Sequence, residues 1–297
     1  MSDHTKPIVV GIDGSEGSLA AARWAAALAA RFDAPLRLLH ARPDTGHALT
    51  DAAAALRAAV MDYHEERVAQ TLAEAADAAL AESPGLTVTT AALECPAAEG
   101  LIDASWYARF VVLGTKPVKP MAALLLGSTS LAVATGAGCP VIMARAADTA
   151  ATDAPVVVGV DYSETGSVAL EYAFEMAARW GVGLEAVHAW TPLVPVGEAV
   201  LSTLIDWDAV ESAELLRLTE TVDKVAQKYP EVKAQCFMES HRPAEALIRH
   251  SFGARMVVVG SRGRGPLTGT VFGSTGLNML QHCRTPLMIC HAGHAMR

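Results

Sequence analysis

Short runs of apolar, mostly β-branched residues alternate along the chain with longer stretches in which apolar positions recur at helical spacing. A strand followed by an amphipathic helix, many times over, is the pattern of βαβ units built around a parallel sheet. In the first half the runs predict strands over Ile8 to Ile12, Leu36 to Ala41, Leu86 to Leu93, Phe110 to Gly114 and Pro140 to Ala144. In the second half they predict strands over Val156 to Val160, Leu184 to Ala189, Val232 to Met238, Met256 to Gly260 and Pro286 to Cys290. Runs such as Phe-Val-Val-Leu-Gly (110–114) and Met-Val-Val-Val-Gly (256–260) lack polar alternation, as strands covered on both faces do. Ser15 stands where a helix N-cap belongs, and the longest helix is predicted from Asp51 to Glu82, ahead of a Ser-Pro-Gly stop. Five strands per half predict an α/β chain of two doubly wound parallel sheets, each in the order 3-2-1-4-5.

The two halves are versions of one text. Gly11-Ile12-Asp13-Gly14-Ser15 returns 148 positions later as Gly159-Val160-Asp161-Tyr162-Ser163, and His40-Ala41 returns at the same offset as His188-Ala189. Val111-Val112-Leu113-Gly114-Thr115 returns 146 positions later as Val257-Val258-Val259-Gly260-Ser261, and Gly127-Ser128 as Gly273-Ser274. A period of that size is a domain length rather than a solenoid repeat. The boundaries follow: a first domain over 1–146, a small polar linker, and a second domain over 154–297.

Charge and cysteine usage narrow the function classes. With 23 Lys and Arg against 32 Asp and Glu the net charge is −9, so no basic field exists to gather a phosphate backbone, and nucleic acid is not an expected partner. Five scattered cysteines without a C-x-x-C pair predict free thiols in a reducing compartment. The opening residues read directly into a strand without a signal-like apolar stretch, and no apolar run approaches the roughly 18–20 residues of a membrane span. The expectation is a cytoplasmic protein with no membrane partner.

In an open sheet of this order, ligands bind beyond the carboxyl ends of the strands where the winding reverses, here between the first and fourth strands of each half. Those ends carry Gly11 and Asp13 in the first half and Gly159 and Asp161 in the second. The fourth strand of the second half runs into Gly260-Ser261-Arg262-Gly263-Arg264-Gly265, and Gly273-Ser274-Thr275 opens the following helix. Glycines let main-chain amides approach an anion, and a helix N-terminus supplies free N–H groups and a favourable dipole. On the residues alone this is a candidate polyphosphate cradle, and the plainer reading, turns with Asp161 capping a helix, stays open beside it.

The spacing, G-x-x-G, then nine residues, then G-S (Gly260, Gly263, Gly273, Ser274), after a strand-ending aspartate, resembles the ATP-binding signature of the universal stress protein family. The resemblance runs from Pro7 to about His291 and makes the chain similar to a tandem, two-domain member. It implies an adenine-nucleotide alpha-hydrolase-like fold that binds ATP, usually with a divalent ion, for which Mg2+ is the candidate. Asp161 would then meet the ribose and the backbone at Ala189 the adenine. The loop Gly260–Gly265, with Gly273, Ser274 and Thr275, would hold the phosphates. By the same resemblance the first half would use Gly11, Asp13, Ala41, Gly114, Thr115, Gly127 and Ser128. That half departs from the signature, because its loop reads Gly114-Thr115-Lys116-Pro117-Val118-Lys119-Pro120. Pro117 removes a donor and fixes φ where glycine is free, while Lys116 and Lys119 offer point charges instead. The expectation is asymmetric occupancy, with the second site the stronger.

Other constellations carry less. No G-x-x-x-x-G-K-[ST], G-x-G-x-x-G or G-x-S-x-G motif occurs, and no carboxylate pair stands ready for acid–base work. His282-Cys283 and Cys290-His291, with His294, lack zinc-ligand spacing, and Cys283 and Cys290 read as core thiols. His40 and His188 read as structural partners beneath the pocket, and Trp190 and Trp207 as walls of an adenine pocket or as packing. The apolar segment 191–205 reads as a lid or a subunit contact. The last strand of each half would be a sheet edge, which tends to be paired. In the family such strands meet across a dimer interface, which implies an internal pseudo-dimer of the two halves and further association into a homodimer. The chain is expected to be a nucleotide-responsive stress or growth regulator rather than an enzyme. Slow ATP hydrolysis or phosphate transfer, and a nucleotide-free interaction module, are the rivals.

Overall fold

The computed structural model describes residues 6–41, 51–115, 127–145, 153–190, 206–240, 242–262 and 272–291, with the side chains of residues 51–64 left aside. The chain divides into two compact units, the first carrying five strands and the second, Ala151–Ala292, five more. In the first the order is β1 (Ile8–Gly11), α1 (Glu16–Phe32), β2 (Leu36–Ala41), α2 (Asp51–Glu82), β3 (Val88–Leu93), α3 (Ala97–Ser105), β4 (Phe110–Gly114), α4 (Ser128–Gly136) and β5 (Val141–Ala144). The strands stand in the order β3-β2-β1-β4-β5, all parallel. The second repeats this with β6 (Val156–Gly159), α5 (Glu164–Trp180), β7 (Leu184–Ala189), α6 (Trp207–Ala226), β8 (Ala234–Glu239), α7 (Pro243–Ser251), β9 (Met256–Gly260), α8 (Ser274–His282) and β10 (Leu287–Cys290). Its order is β8-β7-β6-β9-β10, again parallel. Each unit is therefore the doubly wound sheet that the pattern predicts.

Side chains alternate across a strand, so two neighbouring glycines report both faces of the sheet. Gly11 lies level with Leu113, and a Cβ on it would stand 3.1 Å from Leu101 of α3. Gly114, one step past Leu113, faces the other way, and there a Cβ would overlap the carbonyl of Gly17 in the first turn of α1. The second unit copies the arrangement, with Gly159 against Leu247 of α7 and Gly260 against Thr165 of α5. Helices cover both faces, and Val111, Val112, Val257 and Val258 are wholly buried between them. Each core carries the same cation–π contact at its base. The Arg109 guanidinium lies 4.6 Å from the Phe32 ring centroid, and that of Arg255 lies 4.7 Å from the Trp180 ring.

The caps follow the sequence. Ser15 accepts from the Ser18 amide and Ser163 from the Gly166 amide, so α1 and α5 each start on a hydroxyl cap. Both end in a left-handed residue, Asp33 at φ 50° and Gly181 at φ 68°. β3 and β8 begin two residues later than the hydrophobic runs predict. The amides of Leu86 and Val232 are donated back into turns, to Ser83 and Tyr229, and cannot join the ladder. No helix among the described residues is long and apolar enough to cross a membrane.

Candidate functional site at the ends of β6 and β9

Asp161 stands one residue past Val160, whose amide still pairs with β7. Its Oδ1 accepts from the Ser163 amide at 3.0 Å and from the Ser163 hydroxyl at 2.6 Å, and packs against the Cα of Gly166. Ser163, not Asp161, is therefore the cap of α5, and Asp161 braces that serine rather than the helix amides. Among the described residues the Asp161 Oδ2 makes no hydrogen bond. Asp13 holds Ser15 in the same way, at 3.0 and 2.5 Å, but is exposed where Asp161 is half-buried.

The end of β9 is brought onto this turn by hydrogen bonds. Thr165, buried in the first turn of α5, donates its hydroxyl to the carbonyl of Arg262, and the Ser163 hydroxyl reaches the same oxygen at 3.4 Å. Ser261 donates its amide to Cys290 on β10 at 2.8 Å, and its carbonyl accepts from the Gly273 amide at 2.9 Å. That last bond ties the start of α8 to the end of β9, closing the base of the Gly-rich loop. Gly273 is the N-cap of α8 and supplies no side-chain cap, so among the described residues no side chain caps the amides of the first turn, Ser274, Thr275 and Gly276. Ser274 is exposed and Thr275 half-buried. Gly127 starts α4 in the same uncapped way, and Ser128 is exposed. No backbone bond joins Thr115 to Gly127, so among the described residues the first loop lacks the closure of the second.

Aromatic side chains line the β7 side. Tyr162 holds φ 58°, a strained value for a residue with a Cβ, where the first half has Gly14 at φ 77°. Its ring lies 4.7 Å from that of His188 and beneath the Arg217 guanidinium, 4.1 Å from the ring centroid. His188 donates Nδ1–H to the Val160 carbonyl at 2.6 Å, whereas the buried Nδ1 of His40 has no partner among the described residues. Ala189 lies level with Glu239, whose carbonyl accepts from the Trp190 amide, and the Trp190 and Trp207 rings meet at 5.9 Å.

Residues 4–145 and 154–291 each match the Universal stress protein family. The chain belongs to the universal stress protein family. It is 36% identical over 291 residues to a universal stress protein of Mycolicibacterium smegmatis, covering 95% of this chain and 96% of the other. It is also 34% identical over 290 residues to one of Mycobacterium tuberculosis, covering 95% of each. Among solved structures, a universal stress protein from Archaeoglobus fulgidus superposes with a TM-score of 0.70 at 20% identity, covering 99% of this chain and 100% of that one. A second, from Pseudomonas aeruginosa and described as a putative universal stress protein, gives 0.55 at 17% identity over 97% and 93%. These two share the fold.

For this universal stress protein the described structure brings Asp161, Gly260, Ser261, Arg262, Gly273, Ser274 and Thr275 to one end of the second sheet. Ala41 and Ala189 close β2 and β7 at the equivalent places. Gly263, Arg264 and Gly265, the lysines and prolines of 116–120, the segment 191–205 and His294 lie outside the described residues. Gly11, Gly114, Gly159 and Gly260 have a packing reason that motif reasoning did not assign to them: a neighbouring element fills the space of their missing Cβ. Thr165, Tyr162 and Arg217 were not singled out by the sequence. The signal lay in the duplication, which sets Thr165 opposite Gly17 and Tyr162 opposite Gly14. The thiols are free, and burial pushes Cys139 up to about 12 and Cys290 higher still, as for core cysteines. Among the described residues no group of three or more His, Cys, Asp or Glu could hold a metal ion.

Proposed function

We propose that the second unit binds ATP at the ends of β6 and β9, and that the chain is a nucleotide-responsive regulator rather than a turnover enzyme. The observation that carries this reading is the closure of the loop base. A hydrogen bond from Gly273 to Ser261 sets the uncapped start of α8 beside the end of β9, and Thr165 and Ser163 bind that strand end to the turn bearing Asp161. Uncapped amides at a helix start suit phosphate oxygens, and a carboxylate suits a pair of ribose hydroxyls. Arg262, exposed at the mouth of the loop, adds positive charge. Ala189 and Trp190, whose ring meets that of Trp207, would border the base.

The described residues fit the nucleotide better than they fit a metal. No carboxylate cluster is at hand, so Mg2+ would take its ligands mainly from phosphate oxygens and water, as it commonly does. Metal bound in this way would neutralise part of the phosphate charge. The first unit keeps Asp13 and the uncapped start of α4 but lacks the loop closure, and we assign it the weaker site. Mass spectrometry of the small molecules released when freshly purified protein is denatured tests the reading. Intact ATP near one per chain is expected. ADP or AMP in its place would support turnover, and no nucleotide, even after incubation with ATP, would leave an interaction scaffold.

A further inference from the structure

Thr165 is buried, only 3% exposed, and its hydroxyl donates to the carbonyl of Arg262 while lying 3.2 Å from the Ser163 hydroxyl. That bond pins the end of β9 to the first turn of α5. Around it the strand end is held from two further sides, through Ser261 to β10 and to Gly273. Gly260 brings the strand so close that a Cβ would stand 2.6 Å from Thr165 Oγ1, so the threonine and the glycine form a matched pair. In the first half Gly17 takes the place of Thr165 and has no hydroxyl to give.

We propose that Thr165 is a positioning residue for phosphate recognition: by clamping the Arg262 carbonyl it pre-orders the loop base, and so confers discrimination by phosphate number on the second site and not on the first. The inference rests on the nucleotide reading of the cleft, and extends it to a selectivity that lies outside the signature. A strand end already held beside the uncapped start of α8 avoids an ordering cost when a triphosphate arrives. Adenosine, which makes no demand on the loop, gains nothing from the clamp. Loss of the hydroxyl would therefore weaken ligands in proportion to the phosphates they carry.

The test is a competition assay on the full chain against a fluorescent adenine nucleotide, with ATP, AMP and adenosine as competitors, for the wild type, Thr165→Val, Thr165→Ala and Thr165→Ser. Thr165→Val keeps the shape without the hydroxyl. It is expected to lose about tenfold in ATP affinity, the size of one hydrogen bond to a buried partner, with less for AMP and under about twofold for adenosine. Thr165→Ala gives the same ranking should the valine disturb the fold, and Thr165→Ser is expected to restore ATP binding to within about twofold. An equal loss for ATP and adenosine would reduce Thr165 to a structural residue, and unchanged ATP affinity in Thr165→Val would overturn the proposal outright. A wild type that binds none of the three would instead remove the nucleotide reading itself, and the clamp with it.

Discussion

At Gly114 and Gly260 the strand meets the first turn of the helix packed over it, with no room for a methyl group. At Gly260 a Cβ would stand 2.6 Å from the Thr165 hydroxyl and 2.9 Å from its backbone carbon, and at Gly114 it would run into the backbone of Gly17. Backbone cannot rotate aside as a side chain can. Gly260→Ala is therefore expected to cost about 1–3 kcal/mol of stability by overpacking, and Gly114→Ala at least as much, both measured by urea denaturation. An unchanged midpoint in either would show that the helix start shifts freely. Asp161 has a structural duty of its own, since its Oδ1 holds Ser163. Strand-ending aspartates and glycines stand out in a sequence because they interrupt apolar runs. Whether each serves a ligand, a neighbour or both depends on approach distances that a sequence does not contain.

Among the elements, α1 and α5 offer a controlled comparison, because they are capped alike at the start and differ at the end. Asp33 bears a left-handed conformation that glycine bears at Gly181, where a Cβ would meet nothing within 4 Å. Gly181→Ala is thus expected to destabilise by about 1 kcal/mol through backbone strain alone, and Asp33→Gly to stabilise by a few tenths to about 1 kcal/mol. Thermal unfolding would check both, and opposite signs would contradict the assignment of strain. Farther along, His250 on α7 joins Glu185 of β7, at 2.8 Å, to Glu239 of β8, at 3.1 Å, and Arg249 also binds Glu239. Partial burial pushes the Glu239 carboxyl up, but the hydrogen bond from His250 and the Arg249 charge outweigh it and hold the carboxyl below its ordinary range. A carboxyl depressed on folding contributes stability at pH values above its unfolded value, near 4.5, and loses it as pH falls through the lower folded value. Urea titrations of wild type and Glu239→Gln should differ at pH 7 and converge toward pH 3; a constant difference would contradict this linkage. Element type and order were legible from periodicity because the central strands β1, β4, β6 and β9 are apolar runs ending in glycine. The late starts of β3 and β8 were not, since Leu86 and Val232 are apolar yet give their amides to turns.

Across the whole molecule, duplication made the fold readable twice, and differences between the copies carry most of the functional information. The Pro117 departure was visible in the sequence and predicts unequal sites. The described structure adds two independent differences, the Gly273–Ser261 closure and the Thr165 clamp, both confined to the second unit. A third is the sandwich of Arg217, Tyr162 and His188, which has Gly14 at the centre of its counterpart. None of these could be weighed from residue types alone, because Thr165 and Tyr162 sit in ordinary-looking helix-start sequence. Isothermal titration calorimetry of the full chain with ATP tests the central claim most directly. One tight site per chain is predicted, abolished by Asp161→Ala and retained by Asp13→Ala, with any second site markedly weaker. Two equivalent sites, or a tight site that survives Asp161→Ala and disappears with Asp13→Ala, would contradict the account.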